Sequence, residues 1–286
     1  MQLQLSQVQA LSFVPDGAAL EVALRRTTHL GIGAHPDDLE FMAWHPILQC
    51  FSNPELWLSG VIVSDGRSSP RAEEYAGMAD DDMVKVRLKE QQHAAVTGEY
   101  SVLISLMHSE TGPVMGGRDV ESLVADIQEV LLATRPRVLF THNLADRHPH
   151  HQRVVLAVVA ALRRLGPEYY PDEFYGGEVW RSLDWMTTAD KRVFDVSAHQ
   201  NLTQALMGVY DSQIAGGKRY DQATAGRKRA NATYYDPLSV DPWSALEYAM
   251  DLRPLLDQPD LRPSDYVCSL IDNFAQEVRR GLENAQ

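Results

Sequence analysis

Two short runs in this chain combine imidazole and carboxylate side chains, which are the groups that commonly bind zinc. The first run is His35-Pro36-Asp37-Asp38, and it directly follows the apolar stretch Thr28–Ala34. Two adjacent acids on a tight turn point in different directions, so one can bind a metal while the other stays free as a base. Alternatively, Asp37 and Asp38 would only cap the following helix, and His35 would be an ordinary core histidine.

The second run is His148-Pro149-His150-His151, and four of the ten histidines lie between residues 142 and 151. His151 precedes Val154 and Val155 by three and four residues, so it shares their inward face if a helix follows. A histidine at a helix N-terminus stays neutral more easily, which metal binding requires. Alternatively, His151 would be a core histidine, with His148 and His150 at the surface.

Alternating apolar runs and helix-period segments predict the elements that position these side chains. The predicted strands are Thr28–Ala34, Leu56–Ser64, Val102–Leu106 and Arg137–His142; the predicted helices are Asp38–Phe51, Asp81–Thr97, Val120–Ala133 and His150–Leu165. This alternation predicts an α/β, Rossmann-like fold, with a mainly parallel sheet and helices on both faces. Ligands bind at the carboxyl ends of strands in such sheets. Both runs follow strands, so we expect them to meet there, with a fourth zinc position left for water.

The second half of the sequence is less regular, and we predict an irregular C-terminal part. Its predicted elements are a loop over Gly166–Gly177, room for two strands in Val179–Val196, a helix over Leu202–Ile214, a Gly-rich basic loop over Gly216–Tyr235 and a helix over Ser264–Leu282 with Ser264 as its N-cap. We interpret residues 1–286 as one domain, in which residues 216–286 are a C-terminal extension whose role the sequence leaves open.

Composition excludes several classes of protein. The 286 residues are 44% hydrophobic and 23% charged, which is typical of a globular chain. The formal net charge of −13 argues against nucleic acid as a partner. Cys50 and Cys268 form no CxxC motif, so a disulfide framework is not expected. Without an apolar run of about 18 residues or a signal-like start, we expect no membrane segment and a cytoplasmic location.

Taken together, the two runs resemble the PIG-L/LmbE-like family of zinc-dependent de-N-acetylases. Residues 34–38 read AHPDD, the first family motif, and residues 148–151 read HPHH, where the family has HPDH. Weaker matches are Ser64-Asp65-Gly66, Arg87 with Glu90, Val179-Trp180 and Tyr210-Asp211-Ser212-Gln213. The resemblance spans residues 28–215, and it departs from the family at His150 and in the stretch after AHPDD, which lacks glycines.

The resemblance implies a site, a cofactor and a reaction. One zinc ion would bind His35, Asp38 and His151. Asp37 would be the general base that activates water, and His148 would stabilise the tetrahedral intermediate and protonate the leaving amine. We expect Asp146 to replace the family's aspartate in orienting His148. The substrate would be a small N-acylated metabolite, such as an N-acetyl amino sugar or its conjugate. The alternatives are hydrolysis of a different amide, or a relative that binds metal or sugar without catalysis; a homo-oligomer also stays open.

Three further groups have weaker support from the sequence. Asp65 and Arg67 would contact substrate oxygens, although a solvated loop arginine explains Arg67 equally well. Basic residues concentrate at Lys218, Arg219, Arg227, Lys228 and Arg229. They would bind an anionic substrate group or a neighbouring subunit, or simply form a solvated loop. Aromatic residues that would stack on a sugar or only pack are Tyr169, Tyr170, Tyr175 and Trp180.

Overall fold

The computed structural model of the chain describes residues 3–285 and confirms the predicted α/β fold. The strands are β1 Leu11–Phe13, β2 His29–Gly33, β3 Leu58–Ser64, β4 Leu103–His108, β5 Val138–His142, β6 Glu173–Gly177, β7 Lys191–Asp195 and β8 Leu246–Asp251. The helices are α1 Leu20–Arg25, α2 Asp38–Met42, α3 Trp44–Cys50, α4 Asp80–Thr97, α5 Val120–Thr134, α6 Pro149–Leu165, α7 Gln200–Gly208, α8 Asp211–Ile214, α9 Tyr220–Thr233, α10 Pro254–Asp257 and α11 Pro263–Asn284. Two short 3-10 helices cover Glu73–Tyr75 and Pro167–Tyr169.

All eight strands belong to one sheet, in the spatial order β1-β4-β3-β2-β5-β6-β8-β7. The five strands from β4 to β6 in this order are parallel, whereas β1, β8 and β7 pair antiparallel with their neighbours. β2 and β5 are direct neighbours, and Gly31 lies opposite Phe140. The two motif-bearing connections therefore leave adjacent strands at the same edge of the sheet.

Hydrophobic side chains cover both faces of this sheet. Along β3, Val61 and Val63 belong to the core that also contains residues of α1, α5 and α6. Leu58 and Ile62 point to the opposite face, into a core shared with α3, α4 and α7. Since successive residues of a strand face opposite sides, this alternation confirms that helices pack on both faces.

The elements predicted before residue 166 are present, with one interruption. The predicted helix Asp38–Phe51 is split into α2 and α3 at Ala43, whose φ of −134° is not helical. The backbone N–H groups of Trp44 and His45, in the first turn of α3, donate to the carboxylate of Glu247 at 2.9 and 3.4 Å. A distant strand therefore supplies the acceptor for the second helix start, which the local sequence does not show.

The predicted loop Gly166–Gly177 is wrong over its last five residues, which form β6 parallel to β5. The glycines that suggested a loop are required by close backbone contacts. A Cβ atom on Gly176 would meet the Cα of Asn143 at 2.8 Å, and one on Gly177 would overlap the carbonyl oxygen of Met42. Because these two glycines have no side chain, the strand can lie against neighbouring backbone.

The predicted loop Gly216–Tyr235 is also wrong, because residues 220–233 form helix α9. Its sequence has no apolar stripe, and its buried residues are Lys228, Asn231 and Ala232. The Nδ2 of Asn231 donates to Glu178 Oε2 at 2.9 Å, and the hydroxyl of Tyr248 in β8 donates to the Asn231 carbonyl at 2.8 Å. Polar contacts with the sheet therefore stabilise a helix that hydrophobic periodicity does not predict.

Three smaller corrections concern the second half. The segment Val179–Val196 holds one strand, β7, instead of two, and the helix predicted over Leu202–Ile214 is divided into α7 and α8. Ser264 is not the N-cap of α11, because the helix begins at Pro263 after Arg262. The segment after residue 216 contributes β8, which lies between β6 and β7 inside the sheet. Across residues 3–285, the structure contains no helix with the length and apolar character needed to cross a bilayer.

Candidate metal centre and active site

The two predicted motifs meet at the carboxyl edge of the sheet. His35, Asp37 and Asp38 follow β2, and His148 to His151 follow β5 after a short loop. Since β2 and β5 pair in parallel, their carboxyl ends are adjacent. The side chains of both motifs therefore converge, as the sequence predicted.

The nitrogen and oxygen atoms of three predicted ligands lie at distances that suit one metal ion. His35 Nδ1 is 3.1 Å from His151 Nε2 and 3.2 Å from Asp38 Oδ2, and His151 Nε2 is 3.3 Å from Asp38 Oδ1. Tetrahedral zinc with bonds of about 2.0–2.1 Å separates its ligand atoms by about 3.3 Å. A cation between the three atoms would accept a lone pair from each of them. The donor set therefore fits a zinc ion.

Burial and charge prepare Asp38 and His151 for a cation. Burial opposes the ionisation of Asp38, but the surrounding imidazoles of His151, His142 and His35 outweigh it and hold the pKa of Asp38 well below its usual value. Burial lowers the pKa of His151 to about 3, so its ring is neutral near pH 7. A neutral imidazole and an ionised carboxylate are the protonation states that metal binding requires.

His142 is a fourth group at this centre, and the sequence analysis assigned it no role of its own. Its Nε2 lies 3.4 Å from Asp38 Oδ2, and its ring stacks on His151 with centroids 3.8 Å apart. Asp38, His142 and His151 could by distance also hold an ion, as could His35, His148 and His151. However, His142 Nε2 accepts the N–H of Ala34 at 2.9 Å, so its lone pair is already engaged. This favours the set that contains His35.

Asp146 lies behind the centre and contacts two of its histidines. Its Oδ1 accepts the backbone N–H of His148 at 2.9 Å and lies 3.4 Å from His151 Nδ1, and its Oδ2 accepts the N–H of Trp180 at 3.1 Å. Burial opposes its ionisation, but His151 and the N–H of His148 outweigh this and lower the pKa of Asp146. Asp146 therefore holds His148 through the backbone, and its closest side-chain contact at the centre is with His151.

The second motif carries its own hydrogen bonds, which fix one tautomer. The backbone N–H of His150 donates to His148 Nδ1 at 3.2 Å, as expected of an N-cap side chain at the start of α6. A neutral His148 therefore carries its proton on Nε2. Burial, together with the nearby His35, lowers the pKa of His148. His148 thus presents a neutral N–H donor to the cavity.

Asp37 lies in the cavity wall in an unusual backbone conformation. Its φ of +97° is in the left-handed region, which non-glycine residues seldom adopt. The Asp37 N–H donates to Gln91 Oε1 at 2.9 Å, and Arg87 Nη2 donates to Asp37 Oδ2 at 3.1 Å and to the Pro36 carbonyl. Burial raises the pKa of Asp37 well above its usual value, although Arg87 opposes this. A raised carboxyl pKa suits a general base.

Arg87 and Glu90 act separately instead of pairing on a helix surface. Both are buried, and Arg87 contacts Asp37, whereas Glu90 accepts the backbone N–H and the hydroxyl of Ser212 at 2.7 and 2.6 Å. Gly66 makes room for this arrangement. Its φ is +72°, and a Cβ there would lie 3.2 Å from Arg87. The segments 64–66, 87–90 and 210–213, which match the family only weakly, therefore pack together and hold Arg87 against Asp37.

A cavity of about 300 Å³ opens onto these groups. Its lining residues are His35, Asp37, Asp38, Phe41, Ser68, Ser69, Pro70, Arg87, Glu110, His148, His150, Trp180, Gln213, Lys218 and Tyr220. A larger cavity of about 460 Å³ lies between α7 and α9, and it contains none of the histidines or acids of the centre. Because histidines and acids of the centre line the smaller cavity, that cavity is the candidate active site.

Asp65 and Arg67, predicted to bind substrate, do not line this cavity. Arg67 Nε donates to Asp65 Oδ2 at 2.7 Å, and Asp65 Oδ1 accepts the N–H groups of Arg67 and Glu110, each at 3.3 Å. Asp65 and Arg67 thus form an ion pair with each other. They lie next to the turn that places Ser68 in the lining of the cavity. The structure brings the other six predicted site residues to the cavity or directly behind it.

Glu110 is a cavity residue that the sequence analysis missed. Its Oε1 lies 3.7 Å from His35 Nε2, and its Oε2 accepts the N–H of Ser68 at 2.7 Å. Burial opposes its ionisation, but His35 and Ser68 outweigh it and lower the pKa of Glu110. The only signal available in the sequence was its place soon after β4, the neighbour of β3 in the sheet.

Comparison with known proteins gives one family model that matches the segment containing the candidate site. The family model described as PIG-L, GlcNAc-PI de-N-acetylase, matches residues 30–162. That segment includes every predicted metal ligand and ends near the end of α6. Comparison with curated protein sequences gives no significant match.

Solved structures with the same fold include enzymes of two kinds. The 4-carboxy-2-hydroxymuconate hydratase GalB of Pseudomonas putida has a TM-score of 0.61 at 16% identity, with 79% of this chain and 96% of that chain covered. The N,N'-diacetylchitobiose deacetylase of Pyrococcus horikoshii has a TM-score of 0.57 at 15% identity, with 78% and 83% covered. The A40926 pseudoaglycone deacetylase Dbv21 has a TM-score of 0.59 at 15% identity, with 79% and 97% covered. At these identities the similarity establishes the fold alone.

Proposed function

We propose, because residues 30–162 match the family model described as PIG-L, GlcNAc-PI de-N-acetylase, that this chain is a zinc-dependent hydrolase of N-acyl groups. The acyl group is most simply acetyl, and the substrate is a small polar metabolite such as an amino sugar or its conjugate. One observation carries the proposal. His35, Asp38 and His151 present ligand atoms 3.1–3.3 Å apart beside Asp37, a carboxylate whose pKa is raised.

Each residue of the centre has a role that its surroundings support. A bound zinc ion would supply a Lewis acid and lower the pKa of water to about 7. Asp37 accepts a proton from the attacking water, and Arg87 keeps its carboxylate oriented toward the cavity. His148 donates a hydrogen bond from Nε2 to the oxygen that becomes negative as the amide carbonyl is attacked. The proton for the leaving amine would come from Asp37, which has taken one from water, because a neutral His148 cannot give up its Nε2 proton without becoming an imidazolate.

The surrounding residues position this machinery. Asp146 fixes the backbone of His148 and faces the second ring nitrogen of His151, in the place where metal-binding histidines usually meet a carboxylate. Asp65 and Arg67 order the turn that presents Ser68 and Ser69. The cavity of about 300 Å³ is at the small end of ligand sites, which favours a compact substrate over a polymer.

The test combines metal analysis with a product assay. We expect about one zinc per chain in the purified protein, and release of acetate from one or more members of a panel of N-acetyl sugars and N-acetyl amino acids. His151→Ala should lose both metal and activity. Full activity in metal-free protein would contradict the role of zinc. Turnover of an unsaturated acid by addition of water, with no acetate released from the panel, would point to the hydratase chemistry that the same fold also carries.

A further inference from the structure

The structure separates the five basic residues of the segment 218–229 by what each contacts. Lys228 is buried and paired with Glu247 at 2.5 Å, and the exposed Arg219 pairs with Asp221 at 2.8 Å. Arg227 donates to the Val179 carbonyl at 2.5 Å, and Arg229 lines the larger cavity. Lys218 is the member of the group that lines the candidate active site. The cluster is therefore not one basic surface.

The backbone around Lys218 is held in place by the turn between α8 and α9. Its N–H donates to the Gln213 carbonyl at 2.9 Å, and its carbonyl accepts the N–H of Tyr220 at 2.7 Å. Gly217, just before it, has a φ of +106°, which favours glycine. These contacts fix where the Lys218 side chain leaves the backbone, and its Nζ lies 5.4 Å from the centre of the Trp180 ring. Lys218 therefore lines the cavity next to the ring of Trp180.

Among residues 3–285, no carboxylate lies within 4.0 Å of the Lys218 ammonium group, in contrast to the other charged groups of the cavity. Arg87 pairs with Asp37, and Asp38 lies among imidazoles. Glu110 faces His35 and the N–H of Ser68. The acidic groups of the cavity thus already have partners or would face a metal ion. Lys218 is therefore a cation that is available to bind a ligand in the cavity.

We propose that Lys218 binds an anionic group, a phosphate or a carboxylate, on the N-acylated substrate. This inference rests on the proposed function and names the class of substrate for the same site. Trp180 and Tyr220, with ring centroids 6.1 Å apart, form the aromatic wall next to Lys218 that would contact the ring joining the amide to the anion. The anion would thus be held at the opposite end of the substrate from the scissile amide.

The test compares three N-acetyl sugars that share the same amide: neutral N-acetylglucosamine, its 6-phosphate, and N-acetylmuramic acid, which carries a carboxylate. We expect wild-type kcat/KM to be higher for one or both charged sugars. Lys218→Met should lower the ratio of charged to neutral kcat/KM by about tenfold to a hundredfold, the range for a hydrogen bond between charged groups. Lys218→Arg should restore most of it. Arg219→Met, a neighbouring cation paired outside the cavity, should leave the ratio unchanged.

A binding measurement separates this inference from the reaction itself. Calorimetric titration of the zinc-supplemented protein with each sugar should show weaker binding of the charged sugar to Lys218→Met than to wild type, whether or not acetate is released. If acetate is released but the ratio of charged to neutral kcat/KM does not depend on Lys218, the anion site is wrong and the hydrolase proposal stands. Absence of acetate, with Lys218-dependent binding of the charged sugar, would contradict the hydrolase and keep the anion site. Preference for the phosphate or the carboxylate sugar identifies which anion the site accepts.

Discussion

Nε2 of His35 lies 3.0 Å from Nδ1 of His150, on the opposite side of the His35 ring from the nitrogen that faces Asp38 and His151. A histidine that binds metal through one nitrogen commonly donates the other N–H to an acceptor. His150 stands where the family motif has an aspartate, and burial lowers its pKa to about 4, so it is a neutral acceptor near pH 7. The residue that departs from the motif therefore supports a predicted ligand.

His150→Ala should lower zinc affinity by about tenfold to a hundredfold, the usual effect of losing the partner of a metal-binding histidine. Competition with a chromogenic chelator measures this without any need for turnover. The exposed His93→Ala is the matched control and should bind zinc like wild type. Equal zinc affinity in His150→Ala and wild type would show that His35 needs no such partner.

Asp37→Asn should retain zinc but lose about 10²–10⁴-fold in kcat, the contribution typical of a general base. Asparagine can still accept the hydrogen bond from Arg87, so the wall should keep its shape. Zinc content by elemental analysis and acetate release together measure the outcome. Asp38→Asn provides the contrast, because it should lose zinc as well. An Asp37→Asn variant with wild-type turnover would remove Asp37 from the mechanism.

Lys228→Met should destabilise the fold by about 3–5 kcal/mol, because it leaves the carboxylate of Glu247 buried without its partner. The two side chains are only 1% and 0% exposed. Urea unfolding measures the change, and the double variant Lys228→Met/Glu247→Gln should recover part of it. Arg164→Met breaks the exposed pair with Glu121 and should change the free energy of unfolding far less, because solvent screens that pair. A similarly small loss in Lys228→Met would contradict a structural role for the buried pair.

His45 should make the fold sensitive to acid. Its ring stacks on Phe194 with centroids 4.1 Å apart, and burial, with a small effect from His29, lowers its pKa to about 4, against the opposing effect of Asp195. In the unfolded chain a histidine binds its proton near pH 6.5. Between about pH 6.5 and 4 the unfolded chain therefore binds more protons, and the free energy of unfolding falls as pH falls.

His45→Phe keeps the stacked ring and removes this titration. It should lose less stability than wild type between about pH 6.5 and 4, by roughly 1–3 kcal/mol. Urea unfolding at several pH values measures the difference, with the exposed His93→Phe as control. If both variants lose stability in parallel with wild type, another group causes the acid sensitivity.

The sequence predicted those parts of the site that lie in short runs after strands. His35, Asp37, Asp38 and His151 follow directly from motif and helix phase, because a parallel sheet brings its carboxyl ends together. Glu110 could not be assigned in this way, since it is isolated in the sequence and reaches His35 only through the pairing of β4 with β3. The same limit explains α9, whose contacts with β8 are polar and nonlocal, and β6, whose glycines resemble those of a turn.

Strand β8 lies inside the sheet, and the Lys228–Glu247 pair joins α9 to it. The turn before α9 is therefore attached to the sheet independently of the segment 30–162. The family match that includes the proposed metal ligands ends at residue 162, whereas Trp180, Lys218 and Tyr220 come from the chain beyond it. Under the proposed roles, the metal ligands and the anion-binding lysine therefore lie in separate stretches of sequence. If Lys218 binds the substrate's anion as proposed, exchanging the turn before α9 would change that contact and leave His35, Asp38 and His151 in place.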